Sequence, residues 1–153
     1  MSDWRRIDID AYDPESGRLN REDLIPSYPN QITLQDLQPT ISQLRSFANS
    51  GDINSAIQLA TSDVPYNTDE QTKLQYVYAV LEVLVQVRQA DVINIIKGLN
   101  SQQQDSLAKF LYKGMSMPEG QKNGGILLSW FEKLTQVAGV TPIVHYLSDR
   151  RTV

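Results

Sequence analysis

The chain contains no cysteine. That removes disulfides, thiolate catalysis and zinc–sulfur sites together, and it fits a reducing compartment. It contains one histidine, His145. No apolar run approaches the roughly 20 residues that a bilayer-spanning helix needs. Arg5 and Arg6 near the start are not followed by an apolar stretch, so no secretory signal is expected. Basic residues are in the minority, with 14 Lys and Arg against 18 Asp and Glu and a net charge of −4. Nucleic acid calls for a basic face that neutralises phosphates, and an anionic membrane surface calls for the same; neither is expected as a partner. The composition predicts a soluble, cytosolic protein.

What is present is ordinary for a globular chain. The 153 residues are 41% hydrophobic and 21% charged, which predicts one domain with a real core. Proline is unevenly spread: Pro14, Pro26, Pro29 and Pro39 all lie near the start. Residues 1–38 are accordingly predicted as an extended N-terminal arm and tether, and residues 39–153 as a single helical domain. Within the arm, the stretch from Trp4 to Tyr12 alternates. Ile7 and Ile9 fall on one side of an extended chain, and Arg6, Asp8 and Asp10 on the other. This pattern fits none of the helices that follow.

The body reads as helix throughout. Ile41, Leu44, Phe47 and Ala48 recur at helical spacing after Pro39, and Gly51 suits the position just past a helix end. Asp52 is placed to cap a short second helix that Pro65 closes. Thr68 and Gln71 match a capping box ahead of "QTKLQYVYAVLEVLVQVRQ". In that stretch Gln71, Gln75, Glu82, Gln86 and Gln89 share one side, and apolar residues cover most of the rest. Its β-branched content would also suit a strand, but about twenty residues without a turn is too long for one. It predicts a central helix buried around most of its circumference. Asp91 would cap another short helix, and Ser101 with Gln104 a second capping box. Residues 116–125 are predicted as a loop. A helix ending at Gly139 and a last one opening at Thr141-Pro142 complete the chain. The expected fold is all-α: a compact bundle or short α-solenoid of six to seven helices. The similar stretches "SGDINSAIQL" and "QADVINIIKGL" lean toward the solenoid.

No group of residues assembles a reaction centre. His145, between apolar neighbours in "PIVHYL", is read as a structural or surface residue. Asp8, Asp10 and Asp13 resemble the start of a calcium loop, but position six would be Asp13 and position twelve Leu19, where Gly and Glu are required. Gly120, Gly124 and Gly125 surround Lys122 without the order of a phosphate loop. No aromatic spacing suggests a base-stacking platform. Trp130 is assigned to the core, whereas Phe110, Tyr112 and the tyrosines of the central helix are left between core and surface. The chain is therefore read as non-enzymatic, without metal or cofactor.

Four stretches, in order and spacing, resemble a known family: "RRIDIDAYD", "FLYKGM" followed by Pro118, "LLSWFEK" at residues 127–133, and the ending "IVHYLSDRRTV". They are similar to the smallest subunit of the actin-related protein 2/3 complex, in a fungal member. His145 departs from the basic residue expected in animal members. The resemblance implies an all-α, non-catalytic subunit of the seven-subunit assembly that nucleates branched actin filaments. It implies that the body docks on subunit 4 near propeller subunit 1, and that the N-terminal segment reaches actin-related protein 2. The implied location is the cytoplasmic actin cytoskeleton, in cortical patches. Carried over, the partner-binding residues are Trp4, Arg5, Arg6, Ile7, Asp8, Ile9, Asp10, Tyr12 and Asp13 in the arm, and Tyr112, Arg150 and Arg151 in the body. The arm could bind as a strand, as an irregular extended segment, or with a helical turn near Tyr12. The alternative function is a free-standing helical adaptor that holds a partner peptide in an interhelical groove.

Overall fold

The computed structural model describes residues 31–153. The arm residues from Trp4 to Asp13 lie outside these. Among the described residues there are eight helices: α1 (Leu34–Ser50), α2 (Ile53–Ser62), α3 (Glu70–Gln86), α4 (Val92–Lys97), α5 (Ser101–Ser116), α6 (Pro118–Gln121), α7 (Gly124–Ala138) and α8 (Thr141–Ser148). The described chain is all-α, as the sequence predicts. The count exceeds six to seven because the expected loop at 116–125 contains the one-turn α6.

Several boundaries move by a residue or more, each for a local reason. Helix α1 starts at Leu34, ahead of Pro39. The Asp36 carboxylate accepts from the Thr33 amide at 2.9 Å and from its hydroxyl at 2.7 Å, closing a capping box that precedes the proline. Pro39 then lies inside the helix, where it deprives the Gln35 carbonyl of its usual donor. Asp69 rather than Thr68 caps α3: its carboxylate accepts from the Thr72 amide at 3.0 Å and hydroxyl at 2.7 Å. Thr68 instead donates to the Ile32 carbonyl at 2.7 Å, while the Ile32 amide donates to Asn67 at 2.8 Å. Asn100 and Gln103, one residue before the expected pair, form the capping box of α5. The Gln104 side-chain Nε2 closes the end of α4 by donating to the Ile96 and Leu99 carbonyls. Asp91 makes no capping bond to α4, and Val140 rather than Thr141 occupies the cap of α8. Asp52 does cap α2, and Gly51 ends α1 at φ 82°, where a side chain would be strained.

Helix α3 is the axis of the body. Tyr76, Val77, Ala79, Val80, Leu81, Val83 and Leu84 are all buried, and Gln71, Gln75, Glu82 and Gln86 form its exposed strip. Helix α1 runs beside it in the same direction. Ile32 is pinned at its start, and Arg45 of α1 reaches Glu82 at 3.2 Å further along. Helix α2 returns against both, with the Tyr76 hydroxyl donating to its Ala60 carbonyl at 3.2 Å. Helix α5 then packs on α2, α3, α6, α7 and α8. In an open solenoid each unit touches only its neighbours, so α5 makes this a compact bundle.

Trp130 of α7 is fully buried, and its indole N–H donates to the Leu84 carbonyl at 3.1 Å. Leu84 lies in the last turn of α3, where carbonyls lack helical partners, so the indole satisfies a buried acceptor that the helix leaves open. Two glycines let helices meet closely. A Cβ on Gly114 would fall 2.6 Å from Leu81 Cδ2, and one on Gly120 would fall 1.9 Å from the Gly114 carbonyl oxygen. Gly125 has open space around it.

These contacts set a contrast. Gly120→Ala must push α6 off the backbone of α5 and is expected to destabilise by about 1–3 kcal/mol. Gly125→Ala, inside a helix with room for a methyl, is expected to stabilise by roughly 0.5–1 kcal/mol. Urea unfolding midpoints of the two variants measure both effects.

Candidate interaction surfaces

The last helix contributes little to the core. Pro142 is its one buried residue, and Pro at the second helical position suits a first turn that needs no amide there. Val140, Val144 and Leu147, at i, i+4 and i+7 from the cap, therefore form one stripe. That stripe faces away from the body: the three are 68%, 55% and 77% exposed. Leu128 on α7 is also an exposed large apolar residue, at 60%.

The two flanks of α8 are fastened differently. On one flank Tyr146 stacks on Tyr112 with ring centroids 4.2 Å apart and an interplanar angle of 16°. Phe131 meets Tyr112 edge-on at 5.2 Å. On the other flank His145 Nδ1 lies 2.7 Å from Asp105 Oδ2 on α5. The chain then leaves α8 at Asp149 and is pinned again. Lys109 Nζ donates to Asp149 Oδ2 at 2.6 Å and to the Tyr66 hydroxyl at 3.0 Å. Arg151 grips the same carboxylate through Nε and Nη2, the latter at 2.7 Å, while its guanidinium lies 4.8 Å from the Tyr66 ring centroid. Lys73 Nζ donates to the Thr152 carbonyl at 3.0 Å, and Val153 is buried.

The Lys109 side chain is only 5% exposed, so a buried ammonium depends on Asp149 for its counter-charge. The Arg151 hydrogen bonds first, and then Lys109, hold the Asp149 carboxyl well below the usual carboxylate range. These groups line a polar groove of about 790 Å³ between the end of α2, α5 and α8. Along it, Asp105, Lys109, His145, Asp149 and Arg151 are engaged in holding α8 and the C-terminal segment. A second groove, of about 460 Å³, lies along α3 where α6 turns into α7. Tyr78, Leu81, Val85 and Leu127 form its apolar floor, with Glu82 and Glu119 beside them. Among the described residues, no three His, Asp or Glu side chains are grouped so as to hold a metal ion. No helix among them is long and apolar enough to cross a membrane.

Of the body residues named from the sequence, Tyr112 is half-buried between Phe131 and Tyr146, Arg151 is bound to Asp149 and Tyr66, and Arg150 is exposed. Tyr112 and Arg151 thus sit on separate fastenings of α8 and do not share a site. The exposed stripe was not among the sequence-predicted residues. Its helical spacing was legible, but an amphipathic pattern does not tell which face is covered.

The fold and these surfaces define an all-α bundle that closes its core and leaves one helix with an uncovered apolar face. The chain belongs to the family described as ARP2/3 complex 16 kDa subunit (p16-Arc), whose model matches residues 3–153. Actin-related protein 2/3 complex subunit 5 of Saccharomyces cerevisiae is 64% identical over 152 residues, covering 99% of each chain. Subunit 5-C of Xenopus laevis is 30% identical over 98% of this chain and 94% of its own. The human subunit 5-like protein is 28% identical over 99% and 95%. The higher identity to the yeast protein agrees with the reading of a fungal member.

Asp149 supplies a test of the C-terminal fastening. Its carboxyl is depressed in the folded chain, so its contribution is present above the unfolded value near pH 4 and declines as the pH falls below it. Asp149→Asn should cost roughly 3 kcal/mol at pH 7 by stranding Lys109. Its penalty relative to the parent should shrink toward pH 2, as measured by urea unfolding across that range.

Proposed function

We propose that this chain is a non-catalytic structural subunit of the actin-related protein 2/3 complex, the assembly that nucleates branched actin filaments. In this reading the body docks on subunit 4 near propeller subunit 1, and the arm from Trp4 to Asp13 tethers actin-related protein 2. The place of work is the cytoplasmic actin cytoskeleton, including cortical patches. The observation that carries the reading is the outward stripe of Val140, Val144 and Leu147 on a body whose other large apolar groups are mostly covered. Contiguous apolar surface of this kind marks a place where another protein belongs. Membership of the family supports the identity of the assembly.

The chain between Asp13 and Thr33 gives the tether its reach. About twenty residues span at most about 70 Å extended, and roughly 22–27 Å as a coil. Such a link keeps a moving partner near while leaving it free to shift, because rebinding becomes intramolecular. In the polar groove Asp105 is bound to His145, and Lys109 and Arg151 to Asp149, which suits a fastened joint better than a reaction centre.

Two changes separate the roles. Deleting residues 2–13 should leave the body in the complex but loosen actin-related protein 2, seen as its loss on dilution and slower nucleation in a pyrene-actin assay. Retention and nucleation at parental levels would exclude the tether. Val144→Asp with Leu147→Asp should leave the isolated chain folded by circular dichroism, since both side chains are exposed. Its recovery with the complex in a pull-down should drop about tenfold or more, by burying charge at an interface.

A further inference from the structure

We infer that, in the free chain, the segment Trp4–Ile7 docks into the chain's own groove between α3 and the turn from α6 to α7. The inference does not rest on the tether reading. It would, however, give the arm a resting place from which any other partner must draw it.

The groove has an apolar floor and an acidic edge. Tyr78 and Val85 are half-buried, and Leu81 and Leu127 close the bottom. Glu82 of α3 and Glu119 of α6 also line it. The matching segment must therefore offer apolar side chains with adjacent positive charge. "WRRI", residues 4–7, offers an indole, two guanidiniums and an isoleucine in succession. Asp3 precedes them and Asp8 and Asp10 follow, which limits the match to those four residues. The carboxylates are not unoccupied: Arg45 Nε reaches Glu82 at 3.2 Å, and Glu119 lies near Tyr78. A carboxylate has about four acceptor positions, so each can take a further guanidinium donor. The Arg45–Glu82 pair faces solvent, where exchanging one arginine for another costs little.

The attachment point fits as well. The described chain enters beside the start of α3, with Ile32 bonded to Asn67 and Thr68. Tyr78 and Gln86 bound the groove along that same helix, about 12 and 24 Å from the start of α3 at 1.5 Å per residue. Between Ile7 and Ile32 lie 24 residues, and a coil of that length spans roughly 25–30 Å. An intramolecular site is favoured most when the span and the coil length match, with effective concentrations up to about millimolar. A second copy of the chain would have to bring the same segment at the concentration of the free protein, so the chain's own segment is the favoured occupant.

The absence of cysteine makes the test direct. Ser2→Cys in the full chain accepts a single nitroxide, and paramagnetic broadening of amide signals reports what it approaches. Broadening confined to residues of α3, α6 and the start of α7 that line the groove supports docking. Uniform broadening, or broadening centred elsewhere, overturns it. Mixing a labelled chain without isotope and an isotopically enriched chain without nitroxide should abolish the broadening; persistence would assign it to a second copy and overturn the intramolecular form. In the labelled chain, Arg5→Glu with Arg6→Glu should lower the docked population about two- to tenfold. Unchanged broadening in that variant would remove the charge match and with it the inference. The measurement is made on the free chain, so its failure leaves the pull-down result standing, and the reverse holds too.

Discussion

Helix α3 has to be enclosed, and most of the fold follows from that. A helix with apolar side chains around most of its surface has no stable place in water, and burying one large aliphatic or aromatic side chain contributes about 1.5–3 kcal/mol. Helices α1 and α2 cover one side, α5 another, and Trp130 of α7 reaches its C-terminal turn. The two ends of α3 are satisfied by different means. Asp69 caps the first turn, and the Trp130 indole answers the Leu84 carbonyl in the last. The close contact of Gly114 with Leu81 lets α5 come near enough to complete the enclosure.

Once α3 is covered, α8 is left with little to bury. It is held by an aromatic stack, an imidazole–carboxylate contact and the Lys109–Asp149–Arg151 cluster, rather than by apolar packing of its own. The charged fastenings among these specify position more than they add stability, because desolvation offsets much of their attraction. The consequence is a helix fixed in place with its apolar stripe facing outward. A free monomer gains nothing from that arrangement, and an assembly subunit does.

The central helix, the core role of Trp130 and the caps at Gly51 and Asp52 were legible because each rests on residues close in sequence. The displaced starts have a common cause: Thr68 and Asp69, or Asn100 and Ser101, are adjacent and both able to cap. Spacing alone cannot choose between them when Gln71 or Gln104 offers a plausible partner. A proline suits a first helical turn, so Pro39 draws the expected start of α1 past the capping box that Thr33 and Asp36 form ahead of it. The one-turn α6 was hidden by its glycine, which reads as loop until the contact of Gly120 with the α5 backbone is seen. Lys109 gave no local sign of burial, since its partners Tyr66 and Asp149 lie about forty residues away on either side. The outward face of α8 was equally illegible, because periodicity gives a stripe and not its surroundings.

The stretches that mark the family divide along the same line. "FLYKGM" supplies Gly114 and Tyr112, "LLSWFEK" supplies Trp130 and the Lys133 that donates to the Gln89 carbonyl, and "DRRTV" supplies the pinned C-terminal segment. Each of these has a duty inside the body that accounts for its residue types. Val140, Val144 and Leu147 have none, for nothing in the body touches their outer face enough to bury it. Apolar side chains held in water at a fixed helical position oppose solubility unless something covers them. These are the apolar residues of α8 that the fold itself leaves unused.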